Sequence, residues 1–339
     1  MQARFFTLLA PCLLMLLGAC DHGHGLTTAP EWKAETIAEW NDARPDMLVL
    51  SGDKRFLFVS FETRQNQLAP SLGRINLHAG EQEILLYGLA RADGLKMDQS
   101  GKLWIGEEVA DGEIWTIHEP EMLPAGQRVD RNRHVASHQD IVAVPSAGRF
   151  SHEGLAFSND GRYLYLADEW IEGCLYRFIL KEQKLQVLHK SRGWLDIERA
   201  GEARLYAEKS HGRIFRRLED MEPLPDGRIL MAETGRDGEH GRILALDNRG
   251  DAPVVSLFLA DTRLHHPDNL EWDEKRGWLW ITDDDEPSVL WAWDGKELQR
   301  IAWHDHAEIT GVESAADGAI YVNLQGRSFD PDLTVRLTH

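Results

Sequence analysis

Thiols and basic side chains are what this chain has least of. It carries 3 cysteines in 339 residues. Cys12 and Cys20 fall within the first twenty positions, so Cys174 has no partner left and stability must come from packing rather than cross-links. Cys174, inside "GCLYRF", reads as a small buried apolar residue. Lys and Arg number 37 against 56 Asp and Glu, a formal charge of -19. That deficit argues against nucleic-acid binding and favours cations or a crowded carboxylate site. Beyond the first twenty residues no apolar run is long enough to cross a bilayer. GxSxG, Walker-type and paired CxxC motifs are missing as well, which removes serine-hydrolase, nucleotide-loop and zinc-ribbon readings.

What is present begins with Arg4 and "FFTLLAPCLLMLLGAC", an apolar run ending in small residues. This is the pattern of a secretory signal. Its last four residues, Leu17-Gly18-Ala19-Cys20, resemble the bacterial lipobox. Residues 1–19 are therefore expected to be a lipoprotein signal peptide, Cys20 the lipidated first residue of the mature protein, 20–30 a tether and 31–339 the folded domain. Asp21 resembles the signal that retains lipoproteins at the inner membrane. The expected location is the bacterial cell envelope, facing the periplasm and touching membrane only through the lipid. With 42% apolar residues and 12 Trp, the remainder has ample material for a core.

That remainder repeats. "PDMLVLSGDKRFLFVSFE" (45–62), "ADGLKMDQSGKLWIGEE" (92–108), "HEGLAFSNDGRYLYLADE" (152–169), "EDMEPLPDGRILMAE" (219–233), "PDNLEWDEKRGWLWITDD" (267–284) and "TGVESAADGAIYVNLQ" (310–325) share one pattern. Each has a polar opener, a few residues of alternating polarity, a Gly/Asp turn and an apolar strand of period two. That is a β-hairpin written six times. The openers are Asp46, Asp93, Glu153, Glu219, Asp268 and Thr310. Repeats of roughly 40–50 residues built from short strands predict an all-β, six-bladed β-propeller. Longer gaps at about 120–148 and 191–212 read as loops on one face. After the sixth hairpin only "DLTVRLTH" (332–339) remains, and "EWKAETIAEW" (31–40) would supply the missing outer strand and close the ring.

In a propeller the first strand of each blade lines the central channel, so five acidic openers form a ring. The second strands also end in acids, at Glu62, Glu107, Glu108, Asp168, Glu169, Glu233, Asp283 and Asp284. Antiparallel pairing puts both sets at the same mouth. Carboxylates crowded this closely cannot all stay ionised without compensation, and oxygen-rich sites suit calcium, magnesium, manganese or iron. Candidate metal ligands are thus Glu107, Glu108, Glu153, Glu219, Glu222, Asp168, Asp268 and Asp283. Glu219 and Glu222 stand three apart with Arg217 two residues earlier, and an Arg beside such carboxylates suits an anionic substrate. His152, His265, His266, His304 and His306 fall near the same mouth and read as ordinary hydrogen-bonding residues.

The stretches at 148–178, 217–235, 266–285 and 310–326, the last ending in "YVNLQG", resemble the PhoX-type alkaline phosphatase family. The likeness spans about 90–326. It implies a periplasmic or secreted propeller with calcium and iron at the channel mouth that hydrolyses phosphate esters. Carried over by position, Glu108, Glu153, Glu219 and Glu222 would be metal ligands and Arg217 the phosphate-binding residue. Arg217 and Glu222 are the catalytic candidates. Gly106 stands where that family commonly has a Cys similar to an iron ligand, which puts iron in question and leaves calcium. The stretches at 92–108 and 152–168 are also similar to regucalcin and gluconolactonase propellers, which would use Glu153 and Asn269 around one ion to open lactones. The expected function is a metal-dependent phosphoesterase acting on a small phosphate ester or other anionic substrate. The alternatives are a lactonase or a non-catalytic, metal-stabilised binding propeller.

Overall fold

The computed structural model describes residues 25–63, 68–235, 239–250, 252–326 and 331–339. The signal peptide expected at 1–19 and the lipidation site Cys20 lie outside the described residues. Six sheets of four to six strands make up the fold. The innermost strands are Pro45–Leu50, Ala92–Met97, His152–Phe157, Leu218–Pro223, Pro267–Asp273 and Ala307–Ser314. Each packs against the next and the sixth packs against the first, so the sheets are blades of a closed six-bladed β-propeller.

The period-two pattern explains the core. Apolar residues of one blade face apolar residues of the next, and the clusters sit between blades. Leu72 and Leu86 of blade one meet Ile105 and Trp115 of blade two. Trp280 and Leu290 of blade five meet Val322 and Val335 of blade six. Burying each such aliphatic side chain contributes about 1.5–3 kcal/mol, so the blade interfaces hold the ring together without cross-links. Cys174 is 6% exposed, and burial pushes its thiol up to about 12. It is the small core residue its sequence context suggests.

The ring closes as the sequence implies. Lys33–Trp40 pairs antiparallel with Asp332–Thr338 and becomes the outer strand of blade six. Trp40 Nε1 donates to Thr334 Oγ1 at 2.8 Å across that seam. The expected tether is not loose over its last residues. Leu26 is buried, and Thr27–Thr28 adds a short fifth strand to the open edge of blade five.

The two long gaps are not plain loops. In 120–148, Ile141–Ala143 forms the outer strand of blade two, and Gln127–Asp130 runs parallel to the outer strand of blade one. In 191–212, Gly193–Asp196 adds a fifth strand to blade three, followed by a helix at Ala203–Ser210. Polar spacing hid these short elements, because an edge strand needs only one apolar face.

Candidate metal centre

Each inner strand begins in the same way. In blades one to five the first residue pairs with the second strand, then the register slips before the fourth residue, as at Pro45/Leu48 and Ala92/Leu95. The slip turns the second residue of each strand into the channel. These residues are Asp46, Asp93, Glu153, Glu219 and Asp268, and all five line one cavity of about 650 Å³. The glycine after an opener allows the strands to approach. A Cβ on Gly94 would lie 2.1 Å from the Glu153 carbonyl oxygen, and one on Gly154 would lie 2.3 Å from that of Glu219. Backbone contact at these points draws neighbouring carboxylates together.

The sixth position corrects the sequence reading. Thr310 donates its hydroxyl to the Pro45 carbonyl at 2.9 Å and does not line the cavity. Glu308, two residues earlier, takes its place. The sixth strand starts earlier and carries its bulge later, between Thr310 and Val312, so counting eight residues back from the turn stops two short of the mouth.

The paired acids at the second-strand ends divide by alternation. Glu62, Glu108, Glu169 and Asp284 face the cavity. Glu107, Asp168 and Asp283, expected as ligands, do not, and neither does Glu233. Glu107 accepts the Ala90 and Glu113 amides and meets Arg131 at 3.1 Å. Asp283 accepts the amides of His265 and His266 at 2.9 and 2.8 Å. Asp168 and Glu233 are held by Arg204 and Arg242. Successive residues on a strand point to opposite sides, so one acid of each pair clamps the neighbouring loop and the other enters the channel.

Arginines form the rim. Arg44, Arg91 and Arg217 each immediately precede an inner strand and line the cavity. The amides of Glu62, Glu108 and Thr234 donate to their respective carbonyls, which fixes each rim residue beside a second-strand end. Arg91 bridges Glu62 and Glu108. Arg217 reaches Glu169 at 2.8 Å and Glu219 at 3.2 Å, and Arg44 reaches Glu62 at 3.1 Å. The sequence reading found Arg217 alone. The "RPD", "RAD" and "RLE" spacing that unites all three was there to be seen.

Two groups of carboxylates are close enough to share an ion. Ligand atoms of Asp93, Glu108 and Glu153 lie within 4.8 Å of one another, and so do those of Glu153, Glu219 and Asp268. Glu153 belongs to both. Asp46 Oδ1, Asp93 Oδ1 and Glu153 Oε2 are buried with no hydrogen-bond partner. Burial, reinforced by neighbouring carboxylates, pushes Asp46, Asp93, Glu108, Glu153 and Asp268 well above the usual carboxylate range. Glu219 is raised to about 7 by burial, with Arg217 opposing. Ten carboxylates face three arginines in this cavity. Orphaned hard oxygens in surplus are the donor set that calcium takes, so the residues present fit such an ion.

Iron fits less well. Gly106 leaves no room for the thiolate, since a Cβ there would lie 2.5 Å from the His152 carbonyl oxygen. Glu222, expected as ligand and catalytic residue, is also outside the cavity and pairs with Lys96 at 3.1 Å. Asn269 is likewise engaged below the mouth, accepting from Thr282 Oγ1 and the Gly311 amide. Among the five histidines only His266 lines the cavity. His152 is fully buried against Phe150, and burial lowers it to about 3.

No family model matches this chain, and no curated protein matches its sequence. Solved structures do resemble it. PhoX from Pseudomonas fluorescens in complex with vanadate, a transition-state analogue, superposes with a TM-score of 0.70 at 14% identity, covering 93% of this chain and 96% of that one. A gluconolactonase from Xanthomonas campestris gives 0.60 at 14% identity, covering 91% and 90%. A PQQ-bound aldose sugar dehydrogenase from Streptomyces coelicolor gives 0.56 at 14% identity, covering 92% and 100%. At such identities the likeness is one of fold.

Proposed function

We propose that the chain is a calcium-dependent phosphoesterase that acts on small phosphate esters at the channel mouth. One observation carries this reading: a single cavity joins two carboxylate clusters, each close enough to share a cation, to three arginines. Acidic clusters alone would suit only a cation. Arginines among them suit an anion that arrives alongside it, and a phosphoryl group meets both requirements.

Asp93, Glu108 and Glu153 would hold one ion, and Glu153, Glu219 and Asp268 a second. Bound calcium supplies Lewis acidity toward a phosphoryl oxygen and lowers the pKa of water it coordinates. The chain's own part is positioning. Glu169 and Glu219 orient the Arg217 guanidinium, whose planar fork takes two phosphoryl oxygens and offsets charge that grows on them in the transition state. Arg91, oriented by Glu62 and Glu108, would serve the same oxygens from blade two, across the mouth from Arg217. Glu222 has no place in this scheme. A lactonase is less well supported, because the Asn269 amide that its ion would use is already engaged.

The proposal extends to location: a lipid on Cys20 would hold the propeller at the periplasmic face of the bacterial cell envelope. Incorporation of labelled palmitate that disappears in Cys20→Ala tests this. For the activity, the purified chain is loaded with calcium and offered aryl phosphate mono- and diesters beside aldonolactones. Phosphate release that stops with a chelator and returns with calcium is expected. Lactone opening without phosphate release, or no turnover with calcium or manganese, would overturn it.

A further inference from the structure

The described chain enters the fold at the mouth. A Cβ on Gly25 would lie 2.6 Å from His304 Nε2, and Thr27 pairs with Trp303 on the outer strand of blade five. That strand ends at His304, three residues before the inner strand of blade six begins at Ala307. Glu308 of that inner strand lines the mouth cavity, and with His304 it also lines a smaller pocket alongside. Cys20 stands five residues before Gly25, a stretch that reaches at most about 18 Å when fully extended. An anchor at Cys20 is thus on a short lead from the mouth rim.

Exposed apolar side chains collect at the same end. Trp170 and Ile171, just after Glu169, are 53% and 58% exposed; Leu205 and Ile214, in the segment leading to Arg217, are 45% and 58% exposed. Contacts join these two segments. The Arg204 guanidinium lies over the Trp170 ring at 4.8 Å, Ile214 bridges to Cys174, and the Arg217 amide donates to the Trp170 carbonyl. Leu68, between the second and third strands of blade one, adds another exposed apolar side chain at this end. The hairpin turns at the opposite end carry charge instead, as in Asp53-Lys54-Arg55, Asp160-Gly161-Arg162 and Lys275-Arg276. A contiguous apolar patch marks a docking surface. A tryptophan beside an arginine suits the headgroup level of a bilayer, where the ring sits against acyl chains and the charge stays wet.

We propose that the mouth end docks on a phospholipid bilayer, with Trp170, Ile171, Leu205 and Ile214 seated at the headgroup level. The position of the anchor rests on the reading of Cys20 as lipidated; the patch does not. Docked in this way, the candidate metal centre opens toward the membrane surface, and the charged turns face away from it.

The test supplies the lipid chemically, so it is independent of palmitate incorporation at Cys20 and of turnover. Residues 20–339 are coupled through the Cys20 thiol to a maleimide lipid in phosphatidylcholine vesicles, whose zwitterionic surface does not repel an acidic chain. Cys174 is buried and does not compete. Amide hydrogen exchange is compared with that of the uncoupled chain without vesicles. Exchange is expected to slow several-fold at 169–173 and 204–216 and to stay unchanged at the turns 53–55, 98–101 and 158–162. In Trp170→Ser/Ile171→Ser, which changes only exposed side chains, the protection should disappear while Tm holds. Unchanged exchange at the mouth end, or slowing at the turns instead, would overturn the proposal. Protection that survives in the double variant would also overturn it, because the tether alone would then account for the effect.

Discussion

Arg91 and Arg217 are equivalent residues of blades two and four, and each holds a carboxylate from a different cation cluster. Arg91 contacts Glu108 of the first cluster and Arg217 contacts Glu219 of the second. Both have left-handed backbones, with φ of 46° and 58°. A non-glycine residue in that region carries strain and persists where the surroundings hold it. Glycine is therefore the informative replacement, since it removes the guanidinium and suits the backbone. Arg217→Gly and Arg91→Gly should each lower kcat/KM for an aryl phosphate by about 10²–10³-fold, as loss of a preorganised charge donor does. Lysine should restore little, because it lacks the fork. Steady-state kinetics checks this, and wild-type turnover in Arg217→Gly would remove the residue from the mechanism.

Glu153 contributes to both clusters, so its loss should disturb two ions at once. Glu153→Gln is expected to lower calcium content by more than Asp93→Asn or Asp268→Asn, each of which touches one cluster. An ion that binds only the folded chain stabilises it, by about 2.7 kcal/mol at a concentration 100 times its Kd. The calcium-induced rise in Tm should therefore shrink in the same order. Calorimetric melts with and without chelator measure it, and equal shifts in all three variants would count against a shared ligand.

The fold was legible because its signals are local and repeated. The opener-to-turn spacing, the alternating strands, the spare strand at the N-terminal end and the blade left one strand short at the C-terminal end all lie in short windows. Most of the carboxylate ring followed from the same register, with Asp46, Asp93, Glu153, Glu219 and Asp268 where the hairpins put them. What was hidden depends on partners distant in sequence. "EE" at 107–108 and "DD" at 283–284 do not say which acid faces the channel, because that is set by the loop amides and by Arg131, which a distant insertion brings in. Glu222 looked like a ligand beside Glu219 until Lys96, 126 residues earlier in the chain, met it across the axis.

Stability should fall with rising pH in metal-free protein. Burial raises Glu222 and Glu271 to about 8 and Glu313 to about 7, from an ordinary 4.5. Between these values the folded chain binds more protons than the unfolded one, so raising the pH favours unfolding. The contribution is fully present below about pH 4.5 and is lost progressively toward pH 8. Glu271→Gln, which keeps an acceptor for the Ser314 amide and hydroxyl, should flatten this decline. Urea titrations at several pH values in chelator supply the slope. A slope unchanged in Glu271→Gln would show that the carboxyl does not titrate in this window.

Asp168 provides a contrast in which stability and metal content part company. Its carboxylate is fully buried behind the mouth and paired with Arg204 from the helix of the second insertion. Burial raises Asp168 from its ordinary value while Arg204 opposes that shift. Removing one partner of a buried pair leaves the other charge uncompensated, at a cost of about 3–5 kcal/mol. Arg204→Ala should therefore lower the urea midpoint strongly, and Asp168→Asn/Arg204→Ala should recover much of the loss because no charge is left stranded. Neither residue lines the cavity, so calcium content in the folded double variant should equal that of wild type. Loss of one calcium on Asp168→Asn would return this carboxylate to the metal centre and show that the alternation along the second strand had been misread.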